Sequence, residues 1–492
     1  MFRNLVDRLN PWMPWVLSAL LLCAIGSRLH IVPQHVRNIG FSEPNVIDGI
    51  IRVMDGLPLY GDPEQPPYDI IQYAPIHYGI CAPICALFHL TKDDPQGIFM
   101  VSRSVCLVAN LLEMLVLWGF ARYLRLNVWS RILLLGLMFT WLHEPYFSRS
   151  DSLYQLFCAC LFCEAFKGVD SASLSWRRAM LCGMWSALAL FSKQSGVGPV
   201  AGVALGILIA CSWRSAIRFG ICALVANLLF LGLVEVTDGV DQFYKNVVLG
   251  NVNGFKFPWF AFDVSELYIG MGKWITPAAL LAAWSLRGTM KGRAWFLLSA
   301  MVITYAWAFL TAFKVGSNMN YFMEHWLLCA ITCLLFVQRG LELGKGPAPV
   351  LLLALTAVFG LRAMWFTKVF GFSDYPPDET AEYYDDLEAV KDLREHGLRP
   401  NDGVFVVGTW SFTEQMLGTQ AWLKHEDILN QSREKLPLDH SMMFDNDRNG
   451  ALRYVLRADS TKPLGQGAEL FIGWEPTFKA GRYTVYERER PK

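Results

Sequence analysis

Twelve apolar segments occupy most of the chain, beginning near residues 12, 76, 98, 130, 152, 178, 196, 215, 273, 294, 321 and 349. Several approach the roughly 20 residues that an α-helix needs to cross the hydrocarbon of a bilayer. In lipid, each backbone N–H must find its partner within the protein, so such runs fold as helices. Charge divides the chain where the apolar runs stop. Residues 1–366 hold 27 basic and 21 acidic residues, and residues 367–492 hold 16 and 22, so the net charge of zero joins a positive part to a negative one. Charged residues make up about 13% of the first part and 30% of the second. This pattern excludes an ordinary soluble protein, and without a dense basic face it disfavours nucleic-acid binding. It predicts a polytopic α-helical membrane protein over 1–366 and a small soluble domain over 367–492.

All twelve cysteines lie in apolar segments, and the polar last 126 residues have none. A disulfide or zinc framework would place them in loops at ligand spacing. Cys160 and Cys163 have the CxxC spacing inside a helical pattern, where they read as packing residues. Arg3 and Arg8 precede the apolar run from Pro11 to Ile25, which lacks a small-residue cleavage site. This predicts a retained first span with its N-terminus in the cytoplasm.

Loop charges decide the expected number of spans. If residues 76–91 lie along the outer surface, every short basic loop falls inside. These are Arg122, Arg125 and Arg131; Lys167, Arg177 and Arg178; Arg214 and Arg218; Arg287, Lys291 and Arg293; and Arg339 and Lys345. If that segment crosses, they all face outward, against the positive-inside bias. The reading is therefore about 11 transmembrane helices, with the C-terminal domain outside. A first outer loop covers about 31–97 and a second about 236–272. In the C-terminal domain, residues 379–396 have helical apolar spacing, while Val404–Val407, Leu470–Ile472 and Tyr483–Tyr486 read as strands, which predicts a small α/β module. Gly408-Thr409-Trp410 is too little to identify a ligand loop.

On this arrangement, costly ionisable residues converge on the outer face. They are Glu43 in the first loop, Arg149 and Asp151 between spans three and four, and Lys193 with Gln194 between spans five and six. Lys314, Asn320 and Tyr321 follow between spans nine and ten, with Glu324 and His325 one turn deeper. Each also has a structural reading: Asp151 as a helix cap, Lys193 as a snorkelling cation, His77 as a surface residue on an amphipathic helix, and Tyr73 and Tyr321 as interfacial aromatics. Glu113, Glu144 and Glu164 read as bonds between neighbouring helices.

Several of these stretches resemble a known family. Glu43 ahead of Asp55-Gly56-Leu57-Pro58-Leu59-Tyr60 resembles the first outer loop of GT-C glycosyltransferases, most closely the branch of aminoarabinose transferases and protein O-mannosyltransferases. Tyr73-Ala74-Pro75-Ile76-His77-Tyr78 is similar to a stretch which, in that branch, starts a helix along the outer membrane surface, although Ala74 replaces a frequent proline. Ser148-Arg149-Ser150-Asp151 resembles the second acidic motif, and Phe191-Ser192-Lys193-Gln194-Ser195 the lysine-containing turn after it. Lys314-Val315-Gly316-Ser317-Asn318 with Asn320-Tyr321-Phe322-Met323-Glu324 resembles a later outer-loop motif.

The resemblance implies a GT-C-like catalytic module that moves a sugar, with inversion, from a polyprenyl-phosphate donor to a cell-envelope acceptor on the outer face of the membrane. It further implies no metal cofactor and a bacterial inner-membrane location. The acceptor class stays open among glycan, lipid and protein. Such a reaction needs a base for the acceptor hydroxyl and cations for the leaving phosphate. Glu43 is the first candidate base, with Asp151 assisting or orienting. Lys193, Arg149 and Lys314 are candidates for the donor phosphate, and Tyr73, His77, Gln194, Asn320, Tyr321 and Glu324 for substrate contact. Two competing functions are a transporter or flippase of a lipid-linked glycan and a glycan polymerase or ligase. Membrane charges such as Arg28, Arg103, Glu113 and Arg362 would suit transport, yet the halves lack repeat symmetry.

Overall fold

A computed structural model describes residues 2–36, 39, 43–141, 148–252, 272–314, 319–344, 346–372, 377–407, 411–422, 424, 438, 451–458 and 473–488. Most of the second predicted loop, Glu144, Ser317-Asn318, Gly408–Trp410 and the strand expected at Leu470–Ile472 lie outside these residues.

Each of the twelve apolar segments forms a helix. The chain runs through α1 (Phe2–Leu9), α2 (Met13–Ile31), α3 (Glu43–Met54), α4 (Ile76–Leu87), α5 (Pro95–Tyr123) and α6 (Val128–Trp141). It continues through α7 (Asp151–Asp170), α8 (Trp176–Leu190), α9 (Val197–Ala210), α10 (Trp213–Thr237) and the short α11 (Val240–Phe243). Then follow α12 (Gly272–Leu286), α13 (Lys291–Thr311), α14 (Met323–Leu343) and α15 (Ala348–Gly371). Local chemistry sets several boundaries. Asp94 caps α5 by accepting from the Gly97 N–H ahead of Pro95, Ser175 and Ser212 cap α8 and α10, and α14 ends at Gly344 in the left-handed conformation.

Among the described residues, seven helices are long and apolar enough to cross a membrane, and four further apolar helices are shorter. One of the shorter ones is α4, whose twelve residues span only about 18 Å at 1.5 Å per residue. Close packing in the bundle relies on glycine. Gly198, Gly202 and Gly206 form one stripe of α9 against Trp307, Ala300 and Phe296 of α13, a spacing that lets apolar helices approach without bulky side chains between them. Glu164, expected to bond a neighbouring helix, pairs with Lys167 and with Arg178 of α8. The twelve cysteines are free thiols, and Cys160 and Cys163 are buried in α7.

The C-terminal part folds as α16 (Thr380–Glu395), β1 (Gly403–Val407), α17 (Phe412–Leu417), β2 (Ala421–Trp422), β3 (Leu452–Ala458), β4 (Pro476–Ala480) and β5 (Tyr483–Glu487). The sheet order is β2-β1-β3-β5-β4; β1 pairs parallel with β2 and β3, and β5 pairs antiparallel with β3 and β4. The helix and two strands expected from sequence form there. This sheet does not keep a core to itself. On one face, Val404, Val406, Tyr454 and Val485 pack with Val46, Ile47 and Ile50 of α3 and Phe99 of α5. On the other, Phe405, Val407, Trp422 and Val455 pack with Tyr68 and Ile70. The first loop thus covers the sheet on both sides.

The contact of α8 with α10 gives a test of the bundle. A Cβ on Gly183 would lie 2.6 Å from the Cys222 carbonyl carbon, a backbone atom that moves only if the helices separate. Gly183→Ala is expected to cost about 1–3 kcal/mol, seen as a lower thermal midpoint of the detergent-solubilised protein. An unchanged midpoint would show that the two helices are not held at this distance.

Candidate functional site

Three segments distant in sequence meet at the end of the bundle where the C-terminal sheet packs. Asp151 is the first residue of α7 and is fully buried. The tight turn after α8 places Lys193 in extended conformation just before the 3-10 turn Gln194–Gly196, and the Lys193 Nζ lies 2.6 Å from Asp151 Oδ1. The 3-10 turn Met319–Phe322 supplies Asn320, whose Nδ2 donates to the same oxygen at 2.9 Å. Arg149 Nε lies 3.1 Å from Asp151 Oδ2. Asp151 is therefore not spent on capping its helix, and Lys193 does not snorkel: only 3% of it is exposed.

Aromatic rings wall this cluster. Lys193 stands over the rings of Tyr321 at 5.1 Å and Tyr154 at 5.9 Å, and Arg149 over Tyr73 at 5.6 Å. These contacts replace water around the cations, where charge attraction is stronger than in solution. Burial by itself disfavours the charged form of Arg149, but Asp151, with Tyr73 and Tyr321, raises its pKa above the ordinary value, so it stays a cation. Two cations against the single carboxylate of Asp151 leave a site suited to an anion. Glu324, in the first turn of α14 and fully buried, sits near Lys193 and Tyr154.

Glu43 lies in a second buried cluster. Its Oε2 accepts from Arg103 Nη2 at 2.9 Å and from the Ile39 N–H at 3.0 Å. Arg103 also donates to the carbonyls of Gln34 and Val36 and lies over the Phe99 ring. The other oxygen, Oε1, makes no hydrogen bond among the described residues. Arg103, considered from sequence only as a possible transport charge, is the ion-pair partner of Glu43, and both side chains are fully buried. The signal was its position inside an apolar helix, where a charge without a partner is costly.

The first half of α5 connects the two clusters. Arg103 holds Glu43; the preceding Ser102 bonds His77 Nε2 at 2.8 Å and Ser148 Oγ at 2.6 Å; and Cys106 Sγ donates to the Arg149 carbonyl at 3.2 Å. His77 is fully buried, contrary to the surface position expected for it. Burial lowers its pKa to about 4 against the opposing pull of Asp151, so it is neutral at ordinary pH. Gln194 is half-buried, and its Oε1 makes no hydrogen bond among the described residues; Lys314 lies just beyond α13. No group of three or more His, Cys, Asp or Glu that could hold a metal occurs among the described residues.

No protein-family model matches the sequence, and no curated protein is significantly similar to it. Solved structures do match. The crystal structure of ArnT from Cupriavidus metallidurans bound to undecaprenyl phosphate aligns with a TM-score of 0.57 at 11% identity, over 96% of this chain and 97% of that one. The archaeal oligosaccharyltransferase AglB from Archaeoglobus fulgidus, in complex with an inhibitory peptide and a dolichol-phosphate, aligns at 0.54 and 11% identity, over 92% of this chain and 70% of that one. The arabinofuranosyltransferase AftD from Mycobacteria aligns at 0.53 and 14% identity, over 96% of this chain and 41% of that one. At such identities the likeness is one of fold. An integral membrane protein with the fold of GT-C glycosyltransferases is the conclusion that the helices and these neighbours support together.

Proposed function

We propose that the protein is an inverting glycosyltransferase that moves a sugar from a polyprenyl-phosphate donor to a cell-envelope acceptor on the outer face of the membrane. The observation that carries this reading is the buried Arg149–Asp151–Lys193 cluster, an anion site enclosed by tyrosines at the edge of an apolar bundle. The neighbours' fold agrees with it, and two of them were solved with a polyprenyl-type lipid phosphate. Lys193 and Arg149 hold the donor phosphate and stabilise it as it leaves, with Lys314 on the same end of the bundle as a further cation. Tyr73, Tyr321 and Asn320 shape the site, and Glu324, Gln194 and neutral His77 offer polar contacts to the sugar or the acceptor.

In the reaction the acceptor oxygen forms its bond to the anomeric carbon as the carbon–oxygen bond to the lipid phosphate breaks. The acceptor proton passes to Glu43 through Oε1, while Oε2 stays bonded to Arg103 and the Ile39 N–H. Asp151 has both oxygens engaged by cations and Asn320, so it orients the cluster and the acceptor. Two protein cations supply the charge stabilisation that a metal would otherwise provide.

Glu43→Gln is expected to lower kcat by about 10²–10⁴-fold with little change in donor KM, as removal of a general base does. Asp151→Asn is expected to lower kcat as well, and Lys193→Met to weaken binding of polyprenyl phosphate. Transfer from a polyprenyl-phosphate sugar in liposomes measures all three; full activity of both carboxylate variants would remove the mechanism.

Activity is further expected to survive EDTA. Loss on chelation with recovery on adding a divalent cation would assign a metal role instead.

The loop charges support eleven spans, with α4 along the outer surface and the N-terminus on the cytoplasmic side of a bacterial inner membrane. Reporter insertions after Asp93 and after Arg125 are expected to report opposite sides, Asp93 outside and Arg125 inside. An inside location for Asp93 would mean that residues 76–91 cross.

A further inference from the structure

We propose that Lys424, from the C-terminal domain, is a positioning residue that sets both Glu43 and Tyr73. Its Nζ lies 3.2 Å from Asp48 Oδ1 and 3.5 Å from Asp69 Oδ2, and all three side chains are at most 6% exposed. Asp48 follows Glu43 by five residues on α3, and Asp69 precedes Tyr73 by four on the segment that leads to Arg149. Asn45 completes the tie. Its Nδ2 donates to the Ile70 carbonyl at 2.5 Å and its Oδ1 accepts from the Gln72 N–H at 3.3 Å, so α3 and residues 69–73 move as one unit under the lysine.

Stability alone is a poor account of this cluster. The same interface has a broad apolar core on both faces of the sheet, and a buried ion pair is often no more stable than apolar residues of its shape. A buried lysine between two carboxylates from different segments does what apolar contact does not: it fixes their separation and direction. Glu43 is the first residue of α3 and Asp48 lies further along the same helix, so holding Asp48 holds the helix that carries Glu43. The C-terminal domain thereby acts in catalysis without touching the reacting atoms. The kinetic part of this inference rests on the proposed role of Glu43; the structural part does not.

The test uses the full-length protein in nanodiscs and compares Lys424→Met and Lys424→Arg with the parent. Hydrogen exchange in residues 43–54 and 68–73 is expected to rise at least about tenfold in Lys424→Met, with residues 151–170 unchanged, as for a local opening. Its kcat is expected to fall on the order of tenfold to a hundredfold at unchanged donor KM, the effect of a displaced reacting group. Lys424→Arg should restore both. The kcat loss should also vanish in a Glu43→Gln background. Unchanged exchange in those two segments, or a uniform rise across the membrane helices, would overturn the inference. If exchange rises locally but Glu43→Gln is fully active, positioning stands and the role of Glu43 falls. Should Lys424→Met fail to fold, Asp69→Asn keeps the Lys424–Asp48 pair and carries the same expectation for residues 68–73.

Discussion

The contact of Lys193 with Asp151, 2.6 Å long and almost wholly out of solvent, imposes the strongest demand on this structure. Two charges taken from water recover their hydration only if geometry is good and the remaining hydrogen-bonding capacity is met. Asn320 adds a hydrogen bond to the carboxylate, Arg149 adds a second ion pair, and tyrosine rings cover the cations. Asp151 with Arg149, Lys193 and Asn320 come from three different turns at the same end of the bundle. The start of α7, the turn after α8 and the turn before α14 are therefore bound to one another, and their helices cannot slide independently. The glycine contacts of α8 with α10 and of α9 with α13 supply the stiffness this needs deeper in the bundle.

The same logic governs Glu43, with a different solution. Arg103 reaches it from within a long apolar helix, and backbone carbonyls satisfy the rest of the guanidinium. One carboxylate oxygen is thus fixed while the other makes no hydrogen bond among the described residues. The two carboxylates differ in their ion pairs: Asp151 faces a cation at each oxygen, Lys193 and Arg149, and Glu43 pairs with Arg103 through Oε2. On the proposed mechanism, Asp151 is the orienting group and Glu43 the base. The C-terminal sheet belongs to this arrangement, because α3 is buried along nearly its whole length between the sheet and the membrane helices.

Much of the architecture was legible because apolar length and loop charge are local properties. The helices begin within a few residues of where hydropathy places them, and the helix at 380–395 and the strands at 403–407 and 483–487 follow from periodicity. The convergence of Arg149, Asp151, Lys193 and Asn320 was anticipated from their sharing one end of the predicted bundle. Their individual bonds were not, nor was the burial of His77, since whether a histidine on a short apolar helix meets water depends on what covers that helix. Arg103 shows the limit most clearly. Sequence marked it as costly, but its partner stands 60 residues away, at the start of a helix in the first loop. The boundary near residue 367 marks a real change in composition, yet the apolar core continues across it into the first loop.

By itself, then, the sequence determined that this chain enters a membrane as helices, where those helices lie, and that a charged module follows them, because hydrophobic burial and backbone satisfaction act over short stretches of chain. The tertiary structure decided which charges pair and that the last domain closes over the first loop through Lys424. Those outcomes rest on distances of a few ångströms between residues tens to hundreds of positions apart, and such distances are set only when the helices have packed.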